Sequence, residues 1–123
     1  VDDEPVILNS LKAQLKAAFG DNYLYETAES AEEALELLDE LQEDDLEIVI
    51  IVSDWLMPDM KGDELLIQVH QKYPRIVKIM LTGQAAPESI QRATELAHLH
   101  SCLYKPWSEE ELIKTINSAL DKL

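Results

Sequence analysis

The chain has 123 residues, 46% hydrophobic and 28% charged, which is enough to form one domain with its own core and without disulfide or metal staples. Its formal charge of −15 leaves no basic surface that could displace counterions from DNA or RNA, which argues against direct nucleic-acid binding. Because no apolar run approaches the roughly 20 residues of a membrane span and the lone Cys102 fits a reducing compartment, we expect a single cytoplasmic domain over residues 1–123.

The first part of the chain alternates helical and extended patterns. Apolar residues at helical spacing predict a first helix that contains Leu8 and ends at Gly20. Tyr23–Tyr25 then predicts a short strand. Ser30, with Glu33 three residues later, is the capping box of a second helix, and an acidic loop follows that helix.

The rest of the chain continues the alternation. Its clearest element is Ile48–Val52, an uninterrupted β-branched run typical of a strand covered on both faces. The other predicted elements are, in order, a helix with Leu65, Leu66 and Val69 on its apolar face, a strand at Ile76–Leu81, a helix over Pro87–Ala97, a strand at Cys102–Tyr104 and a last helix capped by Ser108. The loop Met57–Gly62 reads as a shaped turn in which Gly62 permits a positive φ.

Strands that alternate with helices predict right-handed βαβ units and an open parallel sheet. Ligands of such sheets bind beyond the carboxyl ends of the strands. Asp54, Thr82 and Lys105 each follow a predicted strand, so we expect them to meet at that edge. Asp2-Asp3 also reads as the end of a strand, yet only Val1 precedes it, so the first, central strand is largely missing from this sequence.

Three carboxylates, a hydroxyl and an ammonium at one sheet edge are the composition of a magnesium-assisted phosphoryl-acceptor site. Mg²⁺ prefers oxygen ligands and would relieve the repulsion among Asp2, Asp3 and Asp54. The Asp54 carboxylate can act as the nucleophile, and Lys105 can pair with the phosphoryl oxygens as a point charge. Thr82-Gly83 offers a hydroxyl and an unobstructed backbone N–H to the same group.

Four motifs carry a resemblance to a known family. Val1–Pro5, Ser53–Gly62, Leu81–Gly83 and Tyr104–Trp107 resemble, in order and in spacing, the motifs of bacterial receiver domains of two-component response regulators. The resemblance covers essentially the whole chain. It implies a flavodoxin-like, doubly wound sandwich with a five-stranded parallel sheet of order 2-1-3-4-5 and five helices.

The resemblance also implies roles for individual residues. Asp54 would be the phosphorylated residue, and Asp3 and Asp54 would bind Mg²⁺ directly. Asp2 would help through water, and the backbone carbonyl of Leu56 would complete the protein ligands. The Lys105-Pro106 peptide bond would be cis, as X–Pro bonds permit at low energetic cost.

The implied function is a phosphorylation-activated switch. A histidine kinase or a histidine phosphotransfer protein would donate the phosphoryl group. An output domain or protein outside this chain would respond to the phosphorylation. The surface of the fourth helix, fifth strand and fifth helix would change its partner preference, and a phosphorylation-dependent dimer fits this scheme. Because no effector segment follows Leu123, we expect a module of a larger regulator or hybrid kinase.

One departure concerns the switch itself. In the family an aromatic residue usually lies three positions before the lysine, and here Cys102 holds that place. Tyr104 shares a strand face with Cys102 and is our candidate replacement, moving together with Thr82. The alternative is that Tyr104 only packs and that the domain switches weakly.

The residues also bear on two other functions and one other kind of site. Phosphohydrolases of the haloacid dehalogenase type resemble an Asp-x-Asp pattern whose second aspartate is the general acid, and this chain has Leu56 in that place. We therefore expect a phosphoacceptor domain capable of autodephosphorylation and not a turnover enzyme. A pseudo-receiver that binds partners without phosphorylation is the remaining alternative. His70, His98 and His100 lack partners at zinc-ligand spacing, and we expect them to be surface residues.

Overall fold

The computed structural model describes residues 1–123 and contains five α-helices and a three-stranded sheet. The elements are α1 (Pro5–Phe19), α2 (Ala31–Glu43), β1 (Ile50–Asp54), α3 (Gly62–Lys72), β2 (Val77–Thr82), α4 (Pro87–Ala97), β3 (Ser101–Tyr104) and α5 (Glu109–Leu120), with a 3₁₀ turn at Gly20–Asn22. The sheet order is β1-β2-β3 and both pairs are parallel. None of the helices combines the length and apolar character that a bilayer span requires.

The predicted helix ends are confirmed. The Ser30 hydroxyl accepts a hydrogen bond from the Glu33 N–H at 3.1 Å, and the Ser108 hydroxyl accepts one from the Glu111 N–H at 3.1 Å. Each bond satisfies one of the N–H groups that a helix start leaves without a partner. Gly20 ends α1 with φ of 62°, a left-handed value that glycine adopts without strain.

Apolar residues pack on both faces of the sheet, as expected for a doubly wound fold. One cluster joins the sheet to α2, α3 and α4, and the other joins it to α1 and α5. Successive residues of β2 supply the two clusters in turn: Met80 belongs to the first, and Ile79 and Leu81 to the second. Because β2 is covered on both sides, its residues beyond the strand start are buried, and the flavodoxin-like α/β architecture is confirmed.

The prediction of a strand at Tyr23–Tyr25 is wrong. These residues form no sheet ladder, and strand pairing is confined to β1, β2 and β3. A strand exists only where a neighbouring strand pairs with its backbone. Between the first two residues of the chain and the segment 23–28, the single backbone hydrogen bond runs from the Asp2 N–H to the Ala28 carbonyl, at 3.1 Å. The sheet therefore has three strands. Of the five that the resemblance implied, the first was expected to be largely missing, and the second does not pair.

Val1 lies beside β1 in the place of a strand end. Its nitrogen donates to the Val52 carbonyl at 2.6 Å, and its carbonyl accepts from the Asp54 N–H at 2.8 Å. In a parallel ladder, one residue bonds through its N–H and its carbonyl to two residues of the neighbouring strand that are two positions apart, as Val1 does here. The expectation that Asp2-Asp3 closes a central strand agrees with this pairing.

The sequence patterns do not predict a buried lysine in β2. Lys78 is 2% exposed, its Nζ lies 2.7 Å from Nδ1 of His70 and 3.3 Å from the Pro74 carbonyl, and it forms no ion pair with a carboxylate. The His70 and His98 ring centroids are 4.3 Å apart. His70 is therefore half-buried between α3, β2 and α4, and the prediction that it is a plain surface residue is wrong.

Burial, followed by the charges of Lys78 and His98, lowers the pKa of His70. The unfolded chain then binds more protons than the folded protein as the pH falls below about 6.5, so stability is complete above that pH and is lost below it. Between about pH 7.5 and 5.5, we expect the melting temperature of the wild type to fall more than that of His70→Gln. The two decreases should differ by at least roughly 2 °C. Thermal melts of both proteins across this range would check it; parallel curves would contradict it.

Arg92 ties α4 to α3. Its Nη1 lies 3.2 Å from Oδ2 of Asp63, and its Nη2 lies 2.7 Å from Oε2 of Glu64. Asp63 is buried, whereas Glu64 is partly exposed. One guanidinium therefore bridges two carboxylates of the first turn of α3, one from the interior and one from the surface.

Candidate functional site

The three strands bring the predicted site residues to one edge of the sheet. Asp54 is the last residue of β1, Thr82 is the last residue of β2, and Lys105 follows β3 directly. The parallel register places Asp54 opposite Leu81, and the Lys105 N–H donates to the Thr82 carbonyl at 2.9 Å. The prediction that these side chains meet beyond the carboxyl ends of the strands agrees with this geometry.

Asp2 and Asp3 reach the same edge from the start of the chain. The pairing of Val1 with β1 holds them there, and the Glu4 N–H donates to Oδ1 of Asp2 at 2.9 Å. One carboxylate oxygen from each of Asp2, Asp3 and Asp54 lies within 4.8 Å of the others. Asp2 is fully buried and Asp3 is exposed, so the cluster opens to solvent on one side.

Lys105 lies between two of these acids. Its Nζ is 2.9 Å from Oδ2 of Asp2 and 3.2 Å from Oδ1 of Asp54. Burial raises the pKa of Asp54, the negative charge of Asp2 raises it further, and Lys105 only partly opposes this. Burial disfavours the Lys105 ammonium, but the hydrogen bond to Asp2 and the charges of Asp54 and Asp2 outweigh burial and raise its pKa.

The donor set fits a hard divalent cation. Three carboxylates face one ammonium, which leaves two negative charges uncompensated in a partly buried pocket. Oxygen atoms within 4.8 Å of one another can share one small ion, and carboxylates are the ligands that Mg²⁺ prefers. The residues that could hold the ion are therefore Asp2, Asp3 and Asp54.

Thr82 and Gly83 border the pocket beside Lys105. Thr82 is buried, and its hydroxyl accepts a hydrogen bond from the Gln84 N–H at 3.0 Å. A Cβ built on Gly83 would have Lys105 atoms as its nearest neighbours, at 3.9 Å. The backbone of Gly83 therefore lies next to Lys105 without being crowded by it.

The loop after Asp54 is fixed at both ends. Asp59 accepts hydrogen bonds from the N–H groups of Ala31 (3.3 Å) and Glu32 (3.0 Å), so it caps α2 from a distance of 28 residues in sequence. Such a cap could not be found from sequence, because its partners belong to another element. Leu56 lies in this loop with its side chain half-exposed, beyond the last residue of β1.

Gly62 serves a different purpose from the one predicted. Its φ is not positive, and it is the first residue of α3. A Cβ at Gly62 would lie 2.1 Å from the carbonyl oxygen of Asp54 and 2.8 Å from Cα of Trp55. Glycine is therefore needed because α3 begins against the backbone of Asp54 and Trp55, and the prediction based on φ is wrong.

Tyr104 is the ladder partner of Thr82, so the two side chains share one face of the sheet. Tyr104 is 56% exposed, whereas Thr82 is 2% exposed. The Lys105-Pro106 bond is cis, as the family resemblance implied. An aromatic side chain thus lies on the surface next to the buried hydroxyl of the pocket.

Comparison with known proteins identifies the family. Residues 1–117 match the family described as "Response regulator receiver domain". The hydrogenase transcriptional regulatory protein HoxA of Cupriavidus necator is 31% identical over 121 residues, which are 98% of this chain but 23% of HoxA. The chain therefore spans about a quarter of the length of this curated relative.

Solved structures agree with this match. The signal receiver domain of an HD domain-containing protein from Pseudomonas fluorescens superimposes with a TM-score of 0.85 at 32% identity, over 98% of this chain and 82% of that one. The beryllofluoride-activated NtrC4 receiver domain dimer has a TM-score of 0.83 at 30% identity, over 98% of this chain and 93% of that one. The chain belongs to the receiver domains of two-component response regulators.

Proposed function

We propose that Asp54 accepts a phosphoryl group from a phosphohistidine donor in a Mg²⁺-dependent reaction. The observation that supports this most is the group of three carboxylates within 4.8 Å of one another with the Lys105 ammonium among them. A carboxylate oxygen of Asp54 attacks phosphorus, the new C–O–P bond forms, and the P–N bond to the donor imidazole breaks. The electron pair of that bond stays with the imidazole nitrogen.

The surrounding residues stabilise the transferred group. Lys105, now paired with Asp2 and Asp54, is close enough to turn its charge towards the phosphoryl oxygens. The Thr82 hydroxyl, whose oxygen accepts from the Gln84 N–H, donates its own hydrogen to a phosphoryl oxygen, and the Gly83 N–H offers another hydrogen bond. Asp3, Asp54, the Leu56 carbonyl and, through water, Asp2 would hold Mg²⁺, which would supply positive charge to offset the acids and the phosphoryl oxygens.

The partners follow from the same proposal. A histidine kinase or histidine phosphotransfer protein donates the phosphoryl group, in the cytoplasm, and an output domain or protein reads the result. The face made by α4, β3 and α5 changes its partner preference when Asp54 is phosphorylated. Because the similar NtrC4 receiver is described as a dimer in its activated form, we include a phosphorylation-dependent dimer in the proposal.

Tyr104 is the proposed switch aromatic. Its ladder position beside Thr82 and its exposure leave it free to turn inward when Thr82 moves towards the phosphoryl group. We expect structures with and without a phosphoryl mimic to differ in the rotamer of Tyr104. An unmoved Tyr104 would contradict the relay and favour simple packing.

Labelling by a small phosphodonor tests the proposed function. We expect acetyl phosphate with Mg²⁺ to add one phosphoryl group per chain, measured by intact mass, and to add none when a chelator removes the cation. The reaction should stop at one group per chain, without rapid hydrolysis of phosphomonoesters. Absence of labelling with Mg²⁺ present would support the phosphorylation-independent interaction module instead.

Replacing Lys105 should separate metal binding from phosphoryl transfer. Lys105→Met removes a positive charge beside Asp2 and Asp54, so we expect Mg²⁺ to bind at least about 5-fold more tightly. The rate of labelling should fall by roughly 10- to 100-fold, because the same charge is lost from the phosphoryl oxygens. Calorimetric Mg²⁺ titration and timed labelling would measure both.

The matched control is Lys61→Met. Lys61 lies over the Trp55 ring, 5.0 Å from its centroid, and pairs with none of the acids. We expect it to change neither the Mg²⁺ affinity nor the labelling rate appreciably. Weaker Mg²⁺ binding by Lys105→Met would contradict the placement of the lysine charge at the metal site.

A further inference from the structure

A buried lysine lies between β2 and α3 without a carboxylate partner. Lys78 is 2% exposed, and its Nζ lies 2.7 Å from Nδ1 of His70 and 3.3 Å from the Pro74 carbonyl oxygen. It takes part in none of the ion pairs of the protein. Because a buried ammonium is stable only where other groups replace its hydration, the His70 ring is one of its two supports.

His98 continues this cluster to the surface. Its ring centroid lies 4.3 Å from that of His70, and the residue is exposed. His98 follows α4 directly and has a φ of 52° and a ψ of 49°, a left-handed conformation that glycine or asparagine more often supplies at a helix end. The contact of the two rings therefore joins the carboxyl end of α4 to α3.

No acidic side chain forms an ion pair with this cluster. Glu64 on α3 bonds to Arg92, and Glu95 on α4 accepts from a glutamine of the same helix at 3.1 Å. The other charged side chain in the last turn of α3, Lys72, is basic. The two titratable groups that contact the His70 ring, one from β2 and one from the end of α4, are basic as well.

The contact with Lys78 opposes the protonation of His70. When the ammonium donates to Nδ1, the neutral ring carries its own hydrogen on Nε2. A second proton must then go to Nδ1, which places two positive groups 2.7 Å apart in a half-buried position. Burial and the charges of Lys78 and His98 lower the pKa of His70, which agrees with this geometry. Protonation therefore has to separate the groups, and of the three residues only His98 is exposed.

The attachment of α4 to α3 does not depend on His98 alone. Arg92, in the middle of α4, bonds to Asp63 and Glu64 in the first turn of α3. Neither bond involves a histidine, so both persist over the pH range in which imidazole titrates. The carboxyl end of α4 can therefore move while the middle of the helix stays attached.

We propose that His70, Lys78 and His98 form a proton-sensitive latch, which holds the carboxyl end of α4 against α3 at neutral pH and releases it when His70 binds a proton. The released end belongs to the face made by α4, β3 and α5, so acidification loosens that face whether or not Asp54 is phosphorylated. The latch needs neither Mg²⁺ nor a phosphoryl group. Its test is therefore independent of the proposed function.

Amide hydrogen exchange of the protein without Mg²⁺ or phosphodonor locates the effect. Protection factors correct for the intrinsic effect of pH on exchange. We expect those of residues 94–98 to fall at least about 3-fold between about pH 7.5 and 5.5. Low urea concentrations should not change them, because a local opening exposes little surface. Unchanged protection between the two pH values, or the same urea dependence as β2, which indicates global unfolding, would overturn the latch.

Two variants test the residues of the latch. His70→Gln keeps a side-chain acceptor for Lys78 but does not titrate, so the protection of residues 94–98 should change less than about 1.5-fold over this pH range. His98→Asn suits the left-handed turn but lacks the ring, so it should stay folded. Residues 94–98 of this variant should be at least about 3-fold less protected than in the wild type at about pH 7.5.

The matched control is His100→Gln. His100 lies two residues after His98, but its side chain bonds to Ser118 of α5 at 3.2 Å. This variant should keep the full pH response of the wild type. A response that persists in His70→Gln, or that is lost only in His100→Gln, would overturn the proposal.

Discussion

Asp54→Asn is expected to lower phosphoryl acceptance from acetyl phosphate by at least about 100-fold, because an amide is not a nucleophile at phosphorus. The side chains of aspartate and asparagine have the same shape, so the pocket should keep its geometry. Intact-mass measurement in the presence of Mg²⁺, followed by peptide mapping, would show whether residue 54 carries the group.

The same substitution should not weaken the fold. Burial and the negative charge of Asp2 raise the pKa of Asp54, which means that its carboxylate is disfavoured in the folded protein without a cation. A neutral amide removes that repulsion at the expense of the contact with Lys105. We therefore expect a melting temperature at least equal to that of the wild type in metal-free buffer.

Asp59→Asn is the matched control. Asp59 lies in the loop after Asp54, and its two carboxylate oxygens accept from the Ala31 and Glu32 N–H groups at the start of α2. Asparagine keeps one of these two acceptors. This variant should accept the phosphoryl group as the wild type does. If the peptide that contains residue 54 were labelled in Asp54→Asn to the same extent as in Asp59→Asn, the assignment of the acceptor would be wrong.

Gly62→Ala should be the most destabilising of the single-methyl additions at the glycines. The new Cβ would lie 2.1 Å from the Asp54 carbonyl oxygen, and both that atom and its neighbours are backbone. Because backbone cannot move aside as a flexible side chain can, α3 must shift away from β1. We expect a loss of about 3 kcal/mol in the free energy of unfolding, or roughly 10 °C in melting temperature.

Substitutions at the other two glycines separate the effect of a steric clash from the effect of backbone strain. Gly83→Ala meets nothing closer than 3.9 Å and should change stability little. Gly20→Ala has open space, but its φ of 62° and ψ of −140° are values that glycine adopts far more readily than alanine, and it should lose about 2 kcal/mol from backbone strain alone. Chemical denaturation of the three variants would rank them; equal losses at Gly62 and Gly83 would contradict the close approach of α3 to β1.

The sequence patterns predicted correctly which side chains meet at the edge of the sheet, because the carboxyl ends of parallel strands lie along the same edge. Asp54, Thr82 and Lys105 follow apolar runs, and this order alone brings them together. The predicted strand bounds differ from the observed ones by one or two residues, since Ile48–Val52 became Ile50–Asp54. Polar residues can extend a strand as long as a neighbour pairs with their backbone.

The remaining errors have physical causes that a single sequence does not contain. Tyr23–Tyr25 has the composition of a strand but no neighbouring strand to pair with, so composition alone could not show whether the segment forms a strand. The contact of Lys78 with His70 joins a strand to a helix surface, and neither residue forms a pattern with the other in sequence. The need for glycine at Gly62 depends on how closely α3 approaches β1, which is a tertiary distance.

The double contact of Arg92 makes the attachment of α4 sensitive to electrolyte. Its bond to Glu64 joins two partly exposed side chains, which mobile ions screen, whereas its bond to Asp63 reaches a buried carboxylate that they screen far less. Concentrated salt should therefore loosen the outer contact and spare the inner one. A helix held in this way can pivot about its buried contact without detaching, so the salt concentration would adjust how firmly α4 is held against α3.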